Sequence, residues 1–415
     1  MKHGQRVVLD ARLRDGEWGG VQQFVIGLAA SLPAHAGDDL ALSVLAYDGG
    51  WNWLQPYLGD RYGVISAGKA PWASPLRRRL RQIAALRRLW QGLKRSSGAG
   101  IPASSGALEA ARPALVHFTH QSAFRTQLPS IYQPWDLQHV HLPQFFTKAE
   151  IARREAWYAA FCQQAAAVVV ASSWARQDIA RHFGLAADKV FVIPAASVLE
   201  AYPTPSDAQL QQARAQHRLP ERFIYYPAQT WPHKNHIALL EALALLRDQR
   251  GVCVPVVFTG KRTDHAPAID AVVQRRGLAG QVHWLGYTDT LTVASLYRLC
   301  AAVVFPSLFE GWGLPVSEAM QAGAPVACST ATSLPDLVGD AALTFSPHDP
   351  TQIAEAVLRL WQDDALRAAL AERGRARSQL FTWERAARAY AALYRRLLGL
   401  PQPNDDHILL ENPLI

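Results

Sequence analysis

Cysteine is scarce in this chain: there are 4 in 415 residues, and none form a C-x-x-C pair. That excludes the usual spacing of a zinc site or a dithiol redox motif. Cys162, Cys253, Cys300 and Cys328 read as buried reduced thiols of a cytosolic protein, with Cys253 and Cys300 in or beside apolar runs. No stretch approaches the roughly 18 apolar residues a spanning helix needs. The opening MKHGQRVVLDARL lacks the apolar centre of a secretory signal. No G-x-G-x-x-G follows an initial strand, which argues against a nicotinamide-type dinucleotide enzyme, and no G-x-x-x-x-G-K-[ST] is present for a P-loop. A D-x-D triplet, which would clamp a metal-bound diphosphate, is also missing.

What is present is globular in composition, with 49% hydrophobic and 18% charged residues. The length suits two or three domains at roughly 100–200 residues each. The net charge of +8 favours phosphates or an anionic surface. Short apolar runs alternate with helical patterns, which argues for parallel sheets covered on both faces. In the first half the strands expected are Arg6–Asp10, Leu40–Tyr47, Val64–Ser66, Ala114–Phe118, Ile131–Gln133, Ala167–Ala171 and Val190–Ile193. In the second they are Phe223–Tyr226, Pro255–Thr259, Val282–Leu285, Ala301–Phe305, Pro325–Cys328 and Ala342–Phe345, with helical patterns at Ile237–Asp248, Leu291–Leu299 and Thr351–Trp361. The segment Glu200–Pro220, rich in Pro and Gln, reads as the interdomain connection. The expectation is therefore an α/β protein of two Rossmann-like domains, residues 1–197 and 198–382. A helix Trp383–Leu398 (segment 383–400) follows, then a poorly ordered tail from Pro401 (401–415).

One segment stands apart. Pro75–Arg95 carries eight basic residues and no acidic one. Leu76, Leu80, Ile83, Leu86, Leu89, Trp90 and Leu93 recur there at helical spacing. This is the pattern of a basic amphipathic helix suited to an anionic bilayer surface. A solvated basic face over a core stripe is the alternative.

The densest chemical signal is FPSLFEGWGLPVSEAMQAGAPV, Phe305–Val326. A buried strand leads into it, and Pro315 suits the first turn of a helix, where its missing N–H is no loss. Glu310 then lies in a glycine-rich loop and Glu318 about one turn into the helix. The glycines admit close backbone approach, and the helix N-terminus favours a phosphate. Glu318 also reads more plainly as an acid placed for the helix dipole. The E-x7-E spacing within this block resembles the large retaining glycosyltransferase family with the GT-B fold, family four of the sequence classification. The resemblance implies two Rossmann-like domains facing a cleft, the first binding the acceptor and the second a nucleoside-diphosphate sugar as donor, with the helix Trp383–Leu398 crossing back onto the first. It also implies that Glu310 contacts the sugar, that Glu318 contacts the ribose, and that the amides of Gly311, Trp312, Gly313 and Leu314 cradle the diphosphate.

YPAQTWPHKNH, Tyr226–His236, resembles the family's basic clamp, with Lys234 facing the leaving diphosphate. Many members carry Arg a few residues earlier; Gln229 stands here, with His233 or Lys261 as possible compensation. PWDLQHVHLPQFF, Pro134–Phe146, resembles bacterial mannosyltransferase-like members. Relatives often have His before the Asp, where this chain has Trp135. That leaves His139 as the next candidate facing the sugar and Asp136 as a hydroxyl partner, with packing and turn-fixing roles as the alternatives. Gly19 and Gly20 match the family's glycine loop after the first strand. Taken together, the resemblance implies metal-independent transfer, with mannose from GDP-mannose as the first choice. The acceptor would be a lipid-linked or cell-surface glycan precursor, at the cytoplasmic face of the membrane, and no nucleic-acid partner is expected. The alternatives are a glycogen-synthase-like or phosphorylase-like enzyme of the same fold, and a non-catalytic nucleotide-sugar-binding protein.

Overall fold

The computed structural model describes residues 4–16, 19–70, 100–197, 199, 202, 204–403 and 405–411. The basic segment Pro75–Arg95 lies outside the described residues. The chain divides into two compact units. One holds the residues up to Ala171, Ala175–Pro194 and everything from Trp383 onward; the other holds Ser172–Trp174 and Ala195–Thr382.

Each unit is built on a parallel sheet. The first has seven strands in the order β3-β2-β1-β4-β5-β6-β7. These are β1 Gln5–Asp10, β2 Leu40–Asp48, β3 Tyr62–Lys69, β4 Leu115–Phe118, β5 Ser130–Tyr132, β6 Ala167–Val170 and β7 Val190–Val192. The second has six, in the order β10-β9-β8-β11-β12-β13. These are β8 Ile224–Pro227, β9 Val256–Thr259, β10 Val282–Gly286, β11 Ala302–Phe305, β12 Val326–Ser329 and β13 Ala342–Phe345. Central strands such as AVVV in β6 and AVVF in β11 are buried along their whole length, because helices cover both sheet faces. That is why they read as continuous apolar runs rather than as alternating ones.

Three expectations need correction. Cys162, Cys300 and Cys328 are buried, but Cys253, in the loop before β9, is exposed. The presumed connection Glu200–Pro220 contains a helix, Asp207–Gln216. Its start is a capping box in which Ser206 and Gln209 satisfy each other's backbone amides, and S-x-x-Q is legible in the sequence. The described residues of the tail beyond Pro401, 402–403 and 405–411, are anchored rather than loose. Asp406 accepts hydrogen bonds from Arg388 Nε and Nη2 at 3.0 and 2.6 Å, and Leu410 is buried.

The helix Trp383–Leu398 is part of the first unit's core. Tyr390 and Tyr394 are fully buried against His117 of β4, with Tyr394 Oη 2.8 Å from His117 Nδ1. Arg395 is bidentate to Asp39, at 2.7 and 2.9 Å. Gly27, in the helix Gly20–Ser31, lies directly under the Trp383 indole, and a Cβ there would fall 2.0 Å from Cε2. The indole is buried and its ring cannot slide aside without leaving a void. Gly27→Ala is therefore expected to destabilise the protein by on the order of 1–3 kcal/mol, the usual cost of overpacking, despite Ala's better helix propensity. Thermal or denaturant unfolding checks this, and a neutral or stabilising effect would contradict the packing described.

Candidate donor-binding site

In the second sheet the strand order reverses beside β8. From β8 the chain builds outward through β9 and β10, then returns to place β11 on the other flank. The loops leaving β8 and β11 at their carboxyl ends therefore diverge, and the crevice between them is where ligands bind in open α/β sheets. Both sequence motifs of the second half lie on these loops.

After β8 the chain makes one 3-10 turn, Pro232–Lys234, and ends it at Asn235 in a left-handed conformation, φ 58°. The Asn235 side chain fixes that turn by donating to Pro306 O at 3.0 Å and Pro347 O at 2.8 Å. Tyr226 Oη donates to Lys234 O at 2.5 Å. The turn thereby aims Lys234 across the crevice, and its Nζ lies 2.6 Å from Glu310 Oε1. Both side chains retain slight exposure, 18% and 11%. The loop after β9 closes in because Gly260 adopts φ 118°; a Cβ there would meet the Ala228 carbonyl at 2.7 Å.

The loop after β11 is tied down through its carbonyls. Glu310 O accepts from Thr332 Oγ1 at 2.7 Å and Ser333 Oγ at 3.0 Å, and Trp312 O also accepts from Ser333 Oγ at 3.0 Å. With carbonyls turned toward this support, the loop leads through Gly313, φ 109°, into the helix Leu314–Ala322. At its start Pro315 has no N–H and Val316 N and Ser317 N donate to Gly313 O at 2.9 and 3.2 Å, which leaves the Leu314 amide and those of the preceding loop at the positive end of the helix dipole. The Trp312 side chain is an anchor. It is 3% exposed, and its Nε1 donates to Ala195 O at 2.8 Å. The contact expected of Trp312 therefore falls to its backbone and not to its ring.

Glu318 lies one turn further along. Burial pushes its carboxyl up to about 7, partly offset by a hydrogen bond from Tyr297 Oη to Oε2 at 2.6 Å. Tyr297 escaped the sequence reading. Its one signal is a hydroxyl-bearing aromatic on the buried face of the helix preceding β11.

The remaining candidates separate. Burial, then the charges of Lys234 and His236, hold His233 neutral, so it adds no charge in place of the missing Arg. Gln229 Oε1 accepts from Trp231 Nε1 at 3.1 Å, and the Lys261 side chain is exposed. In the first unit, Gly19 has φ 47° and Gly20 opens the helix Gly20–Ser31. Asp136 Oδ1 accepts from Gln138 N at 3.0 Å, a turn-fixing contact. His139 is fully buried beside Phe146 and Tyr158, with Nε2 3.0 Å from Glu155, and burial pushes it down to about 4. A sugar cannot reach that imidazole in this arrangement, so its role is packing. Trp135 adopts φ 68°, unusual for a bulky residue, with its ring edge-on to Phe24 at 4.9 Å and its Nε1 donating to Thr119 O.

Sequence reasoning also missed a buried cluster where the first sheet reverses order, between β1 and β4. Asp10 is held by Arg12 at 2.7 and 2.8 Å, with His120 Nε2 3.9 Å away. Burial raises the Asp10 pKa, but the Arg12 and His120 charges outweigh it and hold the carboxyl below its usual range. An acid closing the apolar run Val7–Leu9 of the first strand is the signal that marks it.

Two family models match the chain, one in each half. The model described as "Glycosyl transferases group 1" matches residues 207–377, and "Glycosyltransferase Family 4" matches residues 18–196. O-antigen chain mannosyltransferase B of Escherichia coli is 30% identical over 263 residues, covering 63% of this chain and 69% of that protein. The chain belongs to the glycosyltransferase group 1 family. This glycosyltransferase is also 32% identical over 246 residues to the serotype-specific mannosyltransferase WbdA of Escherichia coli, 59% of this chain but only 30% of that one. In structure it resembles Anabaena HepE in complex with UDP and glucose, with a TM-score of 0.69 and 19% identity over 94% of this chain and 100% of that one. It also resembles WaaG, a glycosyltransferase involved in lipopolysaccharide biosynthesis, with a TM-score of 0.64 and 14% identity over 93% and 99% of the two chains. These two likenesses establish the GT-B fold.

The raised Glu318 pKa sets a pH dependence. Unfolded, this carboxyl ionises near its ordinary value of about 4.3; folded, near 7. The native state holds the proton more tightly, so stability falls as pH climbs between those values, and the full deficit is present above the higher one. Glu318→Gln is expected to stabilise the protein at about pH 8 by on the order of 1–3 kcal/mol, with the gain shrinking toward about pH 5. Thermal melts at the two pH values test this; an equal shift at both would contradict it.

Proposed function

We propose that this enzyme transfers mannose from GDP-mannose, with retained anomeric configuration, to a lipid-linked or cell-surface glycan precursor. The observation that carries the donor site is the Lys234–Glu310 pair at 2.6 Å, set at the strand-order reversal beside a helix N-terminus. A bound nucleoside-diphosphate sugar takes Lys234 Nζ on its diphosphate and the amides of Gly311 to Leu314 alongside. Glu310 is then free to accept from sugar hydroxyls, and Glu318 from the ribose. The bond between the anomeric carbon and the diphosphate oxygen breaks, its electron pair passing to the diphosphate. The acceptor hydroxyl attacks from the same face and gives its proton to a diphosphate oxygen. Lys234 and the helix dipole meet the charge that develops, a metal-independent arrangement consistent with the missing D-x-D. The choice of mannose is supported by the mannosyltransferases among the relatives and by the PWDLQHVHLPQFF and WPHKNH segments.

Glu310→Ala and Lys234→Ala are each expected to lower kcat/KM by about 10²-fold or more, the scale of losing one transition-state contact. Near-wild-type turnover in both would sink the site. A calorimetric screen of intact nucleotide sugars tests the donor, and a clear preference for UDP-glucose would overturn GDP-mannose. Product analysis with a nucleotide sugar against a sugar phosphate separates transferase from phosphorylase-like activity.

Among the described residues no helix is long and apolar enough to cross a membrane. We propose peripheral attachment at the cytoplasmic face through Pro75–Arg95, where each Lys or Arg near an anionic surface contributes about 1 kcal/mol. Co-sedimentation with anionic vesicles should be strong at low salt and fall when Arg77, Arg78, Arg79 and Arg81 become Gln. Protein that stays in the supernatant at every lipid composition would refute the attachment and leave the transfer chemistry intact.

A further inference from the structure

Glu318 does not hold its own position. It projects from the helix Leu314–Ala322 with only partial exposure, and one carboxylate oxygen, Oε2, is occupied by Tyr297 Oη at 2.6 Å. Tyr297 belongs to the neighbouring helix, Thr290–Leu299, and is 1% exposed. Its ring is fixed edge-on by Tyr225 of β8, centroids 5.1 Å apart, and Tyr225 Oη is itself 2.7 Å from Thr259 Oγ1 of β9. Tyr297 Oη also lies 3.2 Å from Pro315 O in the first turn of the Glu318 helix. A hydroxyl so placed locks the carboxylate rotamer and leaves Oε1 as the oxygen open to a ligand.

We infer that Tyr297 is the positioning residue that aims Glu318 at the ribose of the donor and so makes this site select ribonucleotides over deoxyribonucleotides. The inference rests on the reading of Glu318 as the ribose contact. Tyr297 touches no part of the donor. A carboxylate held by a charge-assisted hydrogen bond from a buried tyrosine loses little freedom on binding, so its bond to a ribose hydroxyl is strengthened. The same bond favours the ionised carboxylate, the form that accepts from a diol, against the burial that opposes it.

The test measures dissociation constants by calorimetry for GDP and 2′- and 3′-deoxy-GDP, and for the UDP series, with wild type, Tyr297→Phe, Glu318→Gln and the double variant. Wild type should prefer the ribonucleotide about tenfold or more over at least one deoxy analogue. Tyr297→Phe should weaken ribonucleotide binding several-fold while leaving that deoxy analogue unchanged, and the double variant should bind like Glu318→Gln alone. Equal weakening of ribo- and deoxyribonucleotides would mean a merely structural role and would overturn the inference, as would unchanged binding of both. Wild type that binds ribo- and deoxyribonucleotides alike, or Glu318→Gln with undiminished ribose preference, would bring down the ribose reading and the inference with it. If Glu318→Gln loses the preference and Tyr297→Phe keeps it, only the inference falls. Melting curves confirm folding. Tyr297→His keeps a ring but loses the reach to Glu318, and it reports the same contrast if the Phe variant does not fold.

Discussion

Parallel strands that lie side by side but send their chains onward in opposite directions leave a crevice at their carboxyl ends, and this constraint organises the second unit. Between β8 and β11 the two onward loops separate. The polar groups found there are the ones a core would reject: an ammonium, two carboxylates and the positive end of a helix dipole. They are sustained because each is held from outside the crevice. Asn235 braces the lysine turn against two other loops, Thr332 and Ser333 hold the glutamate loop by its carbonyls, and Tyr297 holds Glu318. The rigidity of the site comes from this support rather than from the site residues themselves.

The contact between Lys234 and Glu310 has an energetic side. Two opposite charges with little exposure satisfy each other in the free protein, and removing either one strands the other in a partly desolvated place. A donor that brings a diphosphate and sugar hydroxyls offers each charge a new partner. Binding is thus an exchange of partners, which avoids exposing a lone buried charge at any step. The same reasoning accounts for His233. It sits half-buried beside a cation and stays neutral, so the positive charge of the crevice rests on Lys234 and the helix dipole.

The first unit shows the opposite use of polar groups. His139 and His117 are buried among aromatics and held neutral, Tyr394 and Arg395 fasten the last helix to the sheet, and Gly27 gives the space that Trp383 fills. A histidine in a motif-like segment invites a chemical reading. Burial decides otherwise, because an imidazole sealed between Phe146 and Tyr158 can neither reach a substrate nor take a proton near neutral pH.

What could be read from the residues alone was whatever depends on local pattern. Fully apolar runs of four or five residues announced buried parallel strands, a Pro after two glycines announced a helix start, and E-x7-E placed one carboxylate in the loop before that start and one about a turn beyond it. The Ser206 capping box was equally local and was passed over amid the surrounding prolines. Other features depended on distance through space rather than along the chain. Lys234 and Glu310 are 76 residues apart and meet only because β8 and β11 are neighbours. Tyr297 and Glu318 are 21 apart and meet because two helices pack side by side. Which histidine is sealed and which carboxyl titrates late was set by desolvation, and desolvation is a property of the packed interior that no stretch of sequence contains.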